Sequence, residues 1–151
     1  MGDSYLKIST GQREPQGRAA RLGQSPRSVG GRQEEVLEER IFHSMLTLER
    51  RRAERSRKPY VLMLLDANLE NGAAEGILKE AINIIIGAKR ETDLIGWYRM
   101  GAILGVIFTE VSAEGEPPVT ETLRTKIETA LIKHMGQERS SRIAISMHTE
   151  G

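Results

Sequence analysis

The sequence predicts an α+β domain in which a four-stranded antiparallel sheet carries two helices on one face, with a further helix before the first strand. Three observations support this class. Apolar runs have the length of buried strands, three segments repeat apolar residues at helical spacing, and one late segment alternates apolar and polar residues. In chain order these segments read helix and then β-α-β-β-α-β.

Residues 1–32 come first and are rich in Gly, Ser, Gln, Arg and Pro. Their few apolar residues show no period, so the segment buries too little surface to offset the entropy lost on ordering. We therefore predict a disordered basic tail. Residues 1–59 hold 13 Lys and Arg against 8 Asp and Glu, whereas the remainder holds 9 against 13. A solvated tail and a charged helix face explain this asymmetry, so we do not expect nucleic acid as a partner.

Residues 33–58 are predicted to form a leading amphipathic helix. Its apolar residues recur at helical spacing along one stripe, formed by Leu37, Ile41, Met45 and Leu48 with Phe42 and Leu46 alongside. Pro59 ends the helix, because the residue before a proline disfavours helical dihedral angles. The stripe could be the seam of a parallel homodimer or a docking surface for an effector protein. Equally, it could pack back on the domain.

Residues 59–151 are predicted to form the domain itself. Its first strand covers residues 60–65, an apolar run that suits a strand buried on both faces and that ends at Asp66. A turn over residues 68–72 leads into the second helix, which ends near Arg90. The apolar positions of that helix repeat at helical spacing and are Ala74, Ile77, Leu78, Ala81, Ile85 and Ala88.

Two strands follow, over residues 94–98 and 103–111, and a hairpin over residues 99–102 joins them. Thr120 is the predicted N-cap of the third helix, whose apolar positions include Leu123, Ile127 and Leu131. Residues 142–148 alternate between apolar and polar types, which predicts a half-buried last strand. The order of elements is the split β-α-β, ferredoxin-like arrangement, a fold that hosts many functions.

The composition excludes several kinds of site. The chain has no cysteine and therefore no disulfide framework, thiolate metal site or cysteine nucleophile. His43, His134 and His148 show no ligand spacing and are predicted to be surface or edge residues, so we expect no metal and no cofactor. No apolar run is long enough to span a membrane, and the N-terminus lacks the apolar core of a signal peptide. We expect a cytoplasmic protein without a membrane partner.

Three segments of the sequence follow one another in a recognisable order and at a recognisable spacing. Residues 48–59 (LERRRAERSRKP) form an arginine-rich helix end with a proline, followed by the apolar run YVLMLLD. Arg90 and Asp93 form an R-x-x-D pattern, and the hairpin begins nine residues after the arginine, at Arg99. An apolar strand, a helix and a last strand follow. Over roughly residues 40–149 these features resemble the GGDEF (diguanylate cyclase) family, and the resemblance implies that family's fold.

The chain departs from this family where the catalytic residues should be. In place of the Gly-Gly-Asp/Glu-Glu-Phe signature it has residues 99–103 (RMGAI), which keep only the final apolar position. The resemblance matches Asp66 to the metal-binding strand aspartate, of which it could be a relic, and puts Gly101 at the second acid. Equally, Asp66 could be a turn aspartate at a strand end. Magnesium phosphate chemistry needs several converging oxygen ligands. The turn over residues 68–72 is also shorter than the family's guanine-recognition loop, so we expect a catalytically inactive regulatory module.

The resemblance also implies a ligand. In many GGDEF proteins the matching arginine and aspartate form an inhibitory site for cyclic di-GMP, which makes Arg90 and Asp93 its candidate ligand residues. A guanidinium can pair with guanine O6 and N7, and a carboxylate can accept from guanine N–H groups. Lys126 lies near where family members place a supporting arginine and is a third candidate.

The sequence also allows two alternatives. The first concerns the pair itself, because Arg90 could simply complement the end of a helix while Asp93 pairs with it or caps the turn. The second concerns the function, which could be that of a protein interaction or dimerisation module with no nucleotide ligand.

Overall fold

The computed structural model describes residues 35–67, 72–109, 111 and 118–150. The predicted tail over residues 1–32 lies outside these ranges, as does most of the turn predicted over residues 68–72. Among the helices within the described ranges, none combines the length and the apolar character needed to cross a membrane.

The elements follow the predicted order with two short additions. They are β1 (Val36–Leu37), α1 (Glu39–Ser56), β2 (Tyr60–Ala67), α2 (Ala73–Ala88), β3 (Leu94–Arg99), β4 (Ile103–Phe108), α3 (Val119–Met135), α4 (Gln137–Ser140) and β5 (Ile143–Glu150). The five strands form one sheet in the order β1-β3-β4-β2-β5. The β1–β3 pair is parallel and the other three pairs are antiparallel. The predicted α+β class and the ferredoxin-like order of elements are confirmed.

The sheet has one strand more than predicted. Val36 and Leu37 pair with Ile95 and Gly96 at the free side of β3, and the helix begins only at Glu39. The prediction that Leu37 lies on the leading helix is therefore wrong. An apolar side chain just before a helix fits the helical repeat as well as an edge strand does, and the open hydrogen-bonding groups of β3 favour the strand.

Helices α2 and α3 lie on one face of the sheet, as predicted. Alternate residues of the strands face them, and β5 is the half-buried strand that its alternation predicts: residues 143, 145 and 147 are covered while residues 144, 146 and 148 are exposed. The buried residues of this cluster include Val61, Met63, Leu65, Leu78, Ile85, Ile127 and Leu131.

Helix α1 packs on the opposite face of the sheet. It contributes Phe42, Leu46 and Ala53 to a second cluster, in which the sheet supplies Tyr60, Leu62 and Ile107. Because these strand residues alternate with those of the first cluster, β2 is buried on both faces, as predicted. Of the alternatives left open for the leading helix, packing on the domain is the one observed. Ile41 and Leu48, in contrast, remain 44% and 48% exposed.

Two facing glycines bring α1 close to the sheet. Gly96 of β3 lies opposite Gly105 of β4, and the Phe42 ring lies over both. A Cβ atom on either glycine would lie 2.6 Å from a carbon of that ring. The missing side chains therefore create the space that Phe42 fills, which sets the position of α1 against β3.

His43 also joins α1 to β3. Its Nε2 lies 2.8 Å from the carbonyl oxygen of Tyr98, which accepts the hydrogen bond. The centroids of the His43 and Tyr98 rings are 4.7 Å apart. His43 is partly buried, so the prediction of a surface or edge residue is wrong for this histidine. The packing of α1 on the sheet, which sequence spacing alone could not settle, covers it.

The hairpin between β3 and β4 has the predicted glycine turn. Gly101 has a φ of 74°, and the N–H of Ala102 donates to the carbonyl oxygen of Arg99 over 2.9 Å. The predicted N-cap of α3 is wrong, because the helix begins at Val119 and Thr120 lies inside its first turn. Pro118 takes the flanking position, and its carbonyl oxygen accepts the first N–H bonds of the helix.

Candidate functional site

Arg90 and Asp93 lie at the corner where α2 ends and β3 begins. The last turn of α2 closes with the N–H of Lys89 donating to the carbonyl oxygen of Ile85 over 2.8 Å. The N–H of Asp93 then donates to the carbonyl oxygen of Arg90 over 3.1 Å, which closes a tight turn. This turn brings both side chains to the same end of the sheet, next to Thr109 at the end of β4.

The two side chains bind each other. The Arg90 Nε donates to both carboxylate oxygens of Asp93, over 3.2 and 3.1 Å, and its Nη2 donates to Oδ1 over 2.8 Å. The N–H of Arg90 reaches Oδ2 over 2.9 Å, and Nη2 also donates to the Thr109 carbonyl oxygen over 2.6 Å. The side chain of Asp93 is 1% exposed, whereas that of Arg90 is 50% exposed.

This arrangement gives the two residues different roles. Asp93 is buried and holds the guanidinium of Arg90 in one orientation through a charge-assisted pair. The structure therefore shows the internal pairing that sequence reasoning left open. In this conformation the two side chains do not offer separate edges to one base. Arg90 remains half exposed, and it is the member of the pair that a ligand can reach.

A cavity of about 370 Å³ lies between α1 and this corner. Three of its lining residues come from α1 and the others from the corner and the adjoining strand ends; they are Met45, Glu49, Arg52, Arg90, Glu91, Thr92, Leu94 and Thr109. This volume is at the lower end of the range for small-molecule sites. Two of the lining residues are arginines.

The second arginine also pairs with a buried carboxylate. Arg52 Nη1 lies 3.1 Å from Glu49 Oε2, and the side chains of Arg52 and Glu49 are 56% and 5% exposed. Sequence reasoning missed both residues, although a signal was present: Glu49 follows Phe42 and Leu46 by seven and three residues, so it shares their buried face of α1. The cavity thus has an anchored guanidinium on each side.

Lys126 does not join this cavity. It lies exposed on α3, and its neighbour Ile127 belongs to the cluster on the face of the sheet opposite to α1. The lining of the cavity in the described part of the chain does not include Lys126. The structure therefore brings Arg90 and Asp93 together and leaves the third predicted ligand residue apart.

Asp66 lies near the end of β2, which is flanked in the sheet by β4 and β5. Its neighbours in the sheet are Ile103 of β4 and Ala144 of β5, and its side chain is exposed. Within residues 35–67, 72–109, 111 and 118–150, no group of three or more His, Asp and Glu side chains is placed to hold a metal ion.

Two carboxylates near the hairpin turn, those of Glu75 and Glu39, have partners already. A Cβ atom on Gly101 would lie 3.4 Å from Oε1 of Glu75, whose other oxygen pairs with Lys79 over 3.1 Å. Glu39, at the start of α1, accepts a hydrogen bond from the N–H of Met100 over 2.8 Å. The tip of the hairpin is thus attached to α1 and lies beside α2.

The chain is similar in structure, but not detectably in sequence, to known proteins. Neither the protein-family models nor the curated proteins include a match to this sequence. Among solved structures, a DGC protein from Thermotoga maritima matches with 19% identity and a TM-score of 0.56, covering 76% of this chain and 79% of that one. The GGDEF domain of DgcB from Caulobacter crescentus, in complex with c-di-GMP, matches with 14% identity and a TM-score of 0.53, covering 76% and 69%.

A third solved structure is diguanylate cyclase SiaD from Pseudomonas aeruginosa in complex with its activator SiaC. It matches with 18% identity and a TM-score of 0.52, covering 74% of this chain and 45% of that one, so this chain spans less than half of its length. At identities this low, the likeness concerns the fold. The described part of the chain has a GGDEF-like fold.

Proposed function

We propose that the chain is a catalytically inactive GGDEF-like regulatory module that binds cyclic di-GMP in the cavity beside Arg90. The observation that carries this proposal is the pair of guanidiniums at the cavity. Arg90 and Arg52 are each held by a buried carboxylate and are 50% and 56% exposed. Phosphate oxygens and the O6 and N7 atoms of guanine are among the acceptors that a guanidinium fork binds well.

The structural likeness supports this choice of ligand. The GGDEF domain of DgcB is in complex with c-di-GMP, and another solved structure describes an interaction between a microbial GGDEF domain and cyclic di-GMP, at 18% identity and a TM-score of 0.51. Because those domains share their fold with this chain, cyclic di-GMP is the first ligand to test. Arg90 would bind the nucleotide, and Asp93 would hold Arg90 in place.

A titration by calorimetry tests the binding. We expect saturable heat when cyclic di-GMP is added to the wild-type protein, and at least about tenfold weaker binding by Arg90→Lys, because an ammonium cannot form the planar two-pronged contact. The matched control is Arg124→Lys, on α3, where the arginine pairs with Glu128 at the surface. Absence of heat from the wild type at high micromolar ligand would refute the proposal.

The hairpin supports the lack of cyclase activity. Residues 99–103 contribute no carboxylate, and Glu75, which lies beside Gly101, is paired with Lys79. Phosphoryl transfer between nucleotides depends on metal ions held by several oxygen ligands, and Asp66 alone does not supply them. Incubation with GTP and Mg²⁺ or Mn²⁺, followed by chromatography, should show no dinucleotide product. Turnover that disappears in Asp66→Ala would contradict this.

A second candidate function, a dimerisation module, is supported by the outer side of α1. Ile41 and Leu48 are 44% and 48% exposed there, and Met45 between them is only partly buried. Large apolar side chains that lie together at a surface are typical of protein interfaces. Sedimentation should then show a wild-type dimer that Ile41→Glu converts to a monomer, while Ile132→Glu on α3 leaves it intact. A wild type that is monomeric at high concentration rules out self-association.

A further inference from the structure

The buried carboxylate of Glu49, in the wall of the cavity, contacts a single charged group, Arg52, among the described residues. The side chain of Glu49 is 5% exposed, and Arg52 contacts its Oε2 over 3.1 Å. Among the residues that the structure describes, no other group lies within hydrogen-bonding or ion-pair distance of this carboxylate. An ionised carboxylate can accept about four hydrogen bonds, and buried acceptors nearly always have their partners. A buried oxygen that receives no hydrogen bond from the described part of the chain, at the wall of a cavity, points to a donor on a ligand.

The other groups around the cavity restrict which ligand can supply that donor. Arg90 and Arg52 bring hydrogen-bond donors, so the ligand needs acceptors towards them. Towards Glu49 it needs N–H groups. Asp93 cannot serve as the accepting group, since its carboxylate is 1% exposed and already receives four hydrogen bonds from Arg90.

We propose that Glu49 accepts hydrogen bonds from the Watson–Crick edge of a guanine base and makes the cavity selective for guanine. This inference rests on the proposed function, because it concerns the same cavity. Guanine carries two adjacent donors on that edge, N1–H and the N2 amino group, and it carries acceptors, O6 and N7, on the other. Arg52 holds Oε2 and so orients the carboxylate that reads the base.

Other purines do not match this arrangement. Adenine presents a ring acceptor, N1, where guanine presents N1–H, so its lone pair would face the carboxylate of Glu49. Hypoxanthine keeps N1–H and lacks the N2 amino group, so it would lose one of the two hydrogen bonds. Because a hydrogen bond to a charged group is stronger than one between neutral groups, each loss should be visible in the affinity.

The test compares three cyclic dinucleotides that differ only in the base. Wild-type protein is titrated with cyclic di-GMP, cyclic di-IMP and cyclic di-AMP, and Glu49→Gln is titrated with the same set. We expect wild type to bind cyclic di-GMP about tenfold or more tightly than cyclic di-IMP, and Glu49→Gln to reduce that ratio at least severalfold. Glu54→Gln, an exposed carboxylate on the same helix, is the matched control and should keep the wild-type ratio.

Failure of cyclic di-GMP binding and failure of guanine recognition by Glu49 give different results. If wild type binds none of the three nucleotides, the receptor function fails and the role of Glu49 fails with it. If wild type binds cyclic di-GMP and cyclic di-IMP equally, the receptor function survives and guanine reading by Glu49 is refuted, whether or not any variant folds. The same conclusion follows if the ratio persists in a Glu49→Gln protein whose thermal unfolding matches wild type.

Discussion

Replacing Gly105 with alanine puts a methyl group where the Phe42 ring already lies. The new Cβ would be 2.6 Å from Cζ and 2.9 Å from Cε2 of Phe42, whose side chain is fully buried. Non-bonded carbon atoms pack at about 3.5–4.0 Å, so the ring must move by about 1 Å for the methyl group to fit. The ring also lies against Gly96 on the neighbouring strand, which restricts a shift towards that strand.

Two opposing terms set the size of the effect. Overpacking of a buried site costs about 1–3 kcal/mol, whereas replacing glycine by alanine in regular structure returns about 0.5–1 kcal/mol through the entropy of the unfolded chain. The midpoints of these two ranges leave a net loss of unfolding free energy of about 1 kcal/mol for Gly105→Ala. Gly76 in α2 is the matched control: a Cβ there meets nothing within 4 Å, so Gly76→Ala should stabilise by about 0.5–1 kcal/mol.

Urea unfolding followed by circular dichroism measures both changes. The Phe42→Leu background adds a direct test of cause, because the smaller side chain leaves space for the methyl group. The cost of Gly105→Ala should fall by at least half there. If Gly105→Ala costs nothing in wild type, or costs as much in Phe42→Leu as in wild type, the packing of α1 over the two glycines is refuted.

Two further predictions concern the corner and the hairpin. Arg90→Ala leaves the Asp93 carboxylate buried without its guanidinium and should lower the unfolding free energy by about 1–3 kcal/mol, less than for a fully buried pair because Arg90 is half exposed. Arg124→Ala, which removes a surface pair, should change it by less than about 0.5 kcal/mol, and equal effects would contradict this. Gly101 has a φ of 74°, so Gly101→Val should cost about 1–2 kcal/mol and Gly101→Asn clearly less; equal melting temperatures would contradict the left-handed turn.

Most of the fold was predictable because each element carries its own period. Residues 60–65 and 142–148 showed the burial patterns of a doubly covered and a half-covered strand, and both were found. Errors arose where a local pattern allows two outcomes. Leu37 fits a helical stripe and an edge strand equally well, and the open side of β3 decided between them. Thr120 is a good cap by type, but Pro118 stands two residues earlier and takes that position.

The candidate site was predictable only in part, because its geometry depends on contacts between distant segments. The spacing of Arg90 and Asp93 allows both mutual pairing and ligand binding. The carbonyl oxygen of Thr109, 19 residues along the chain, adds a further contact that holds the guanidinium in the paired arrangement. Glu49 and Arg52 entered the site because α1 packs on the sheet through Phe42, and the tertiary position of a charged residue in a helix cannot be obtained from its spacing alone.

Cyclic di-GMP is proposed to bind in the cavity beside Arg90, and backbone amide shifts in ¹⁵N-labelled protein measure directly where it binds. We predict that added ligand shifts the amide signals of residues 90–94 and 109 together with those of residues 45–52, which surround the cavity from both sides. The signals of Gly101 in the hairpin and of the first residues of α2 should not shift. Shifts confined to the hairpin and the start of α2, or no shifts at saturating ligand, would contradict the proposed site.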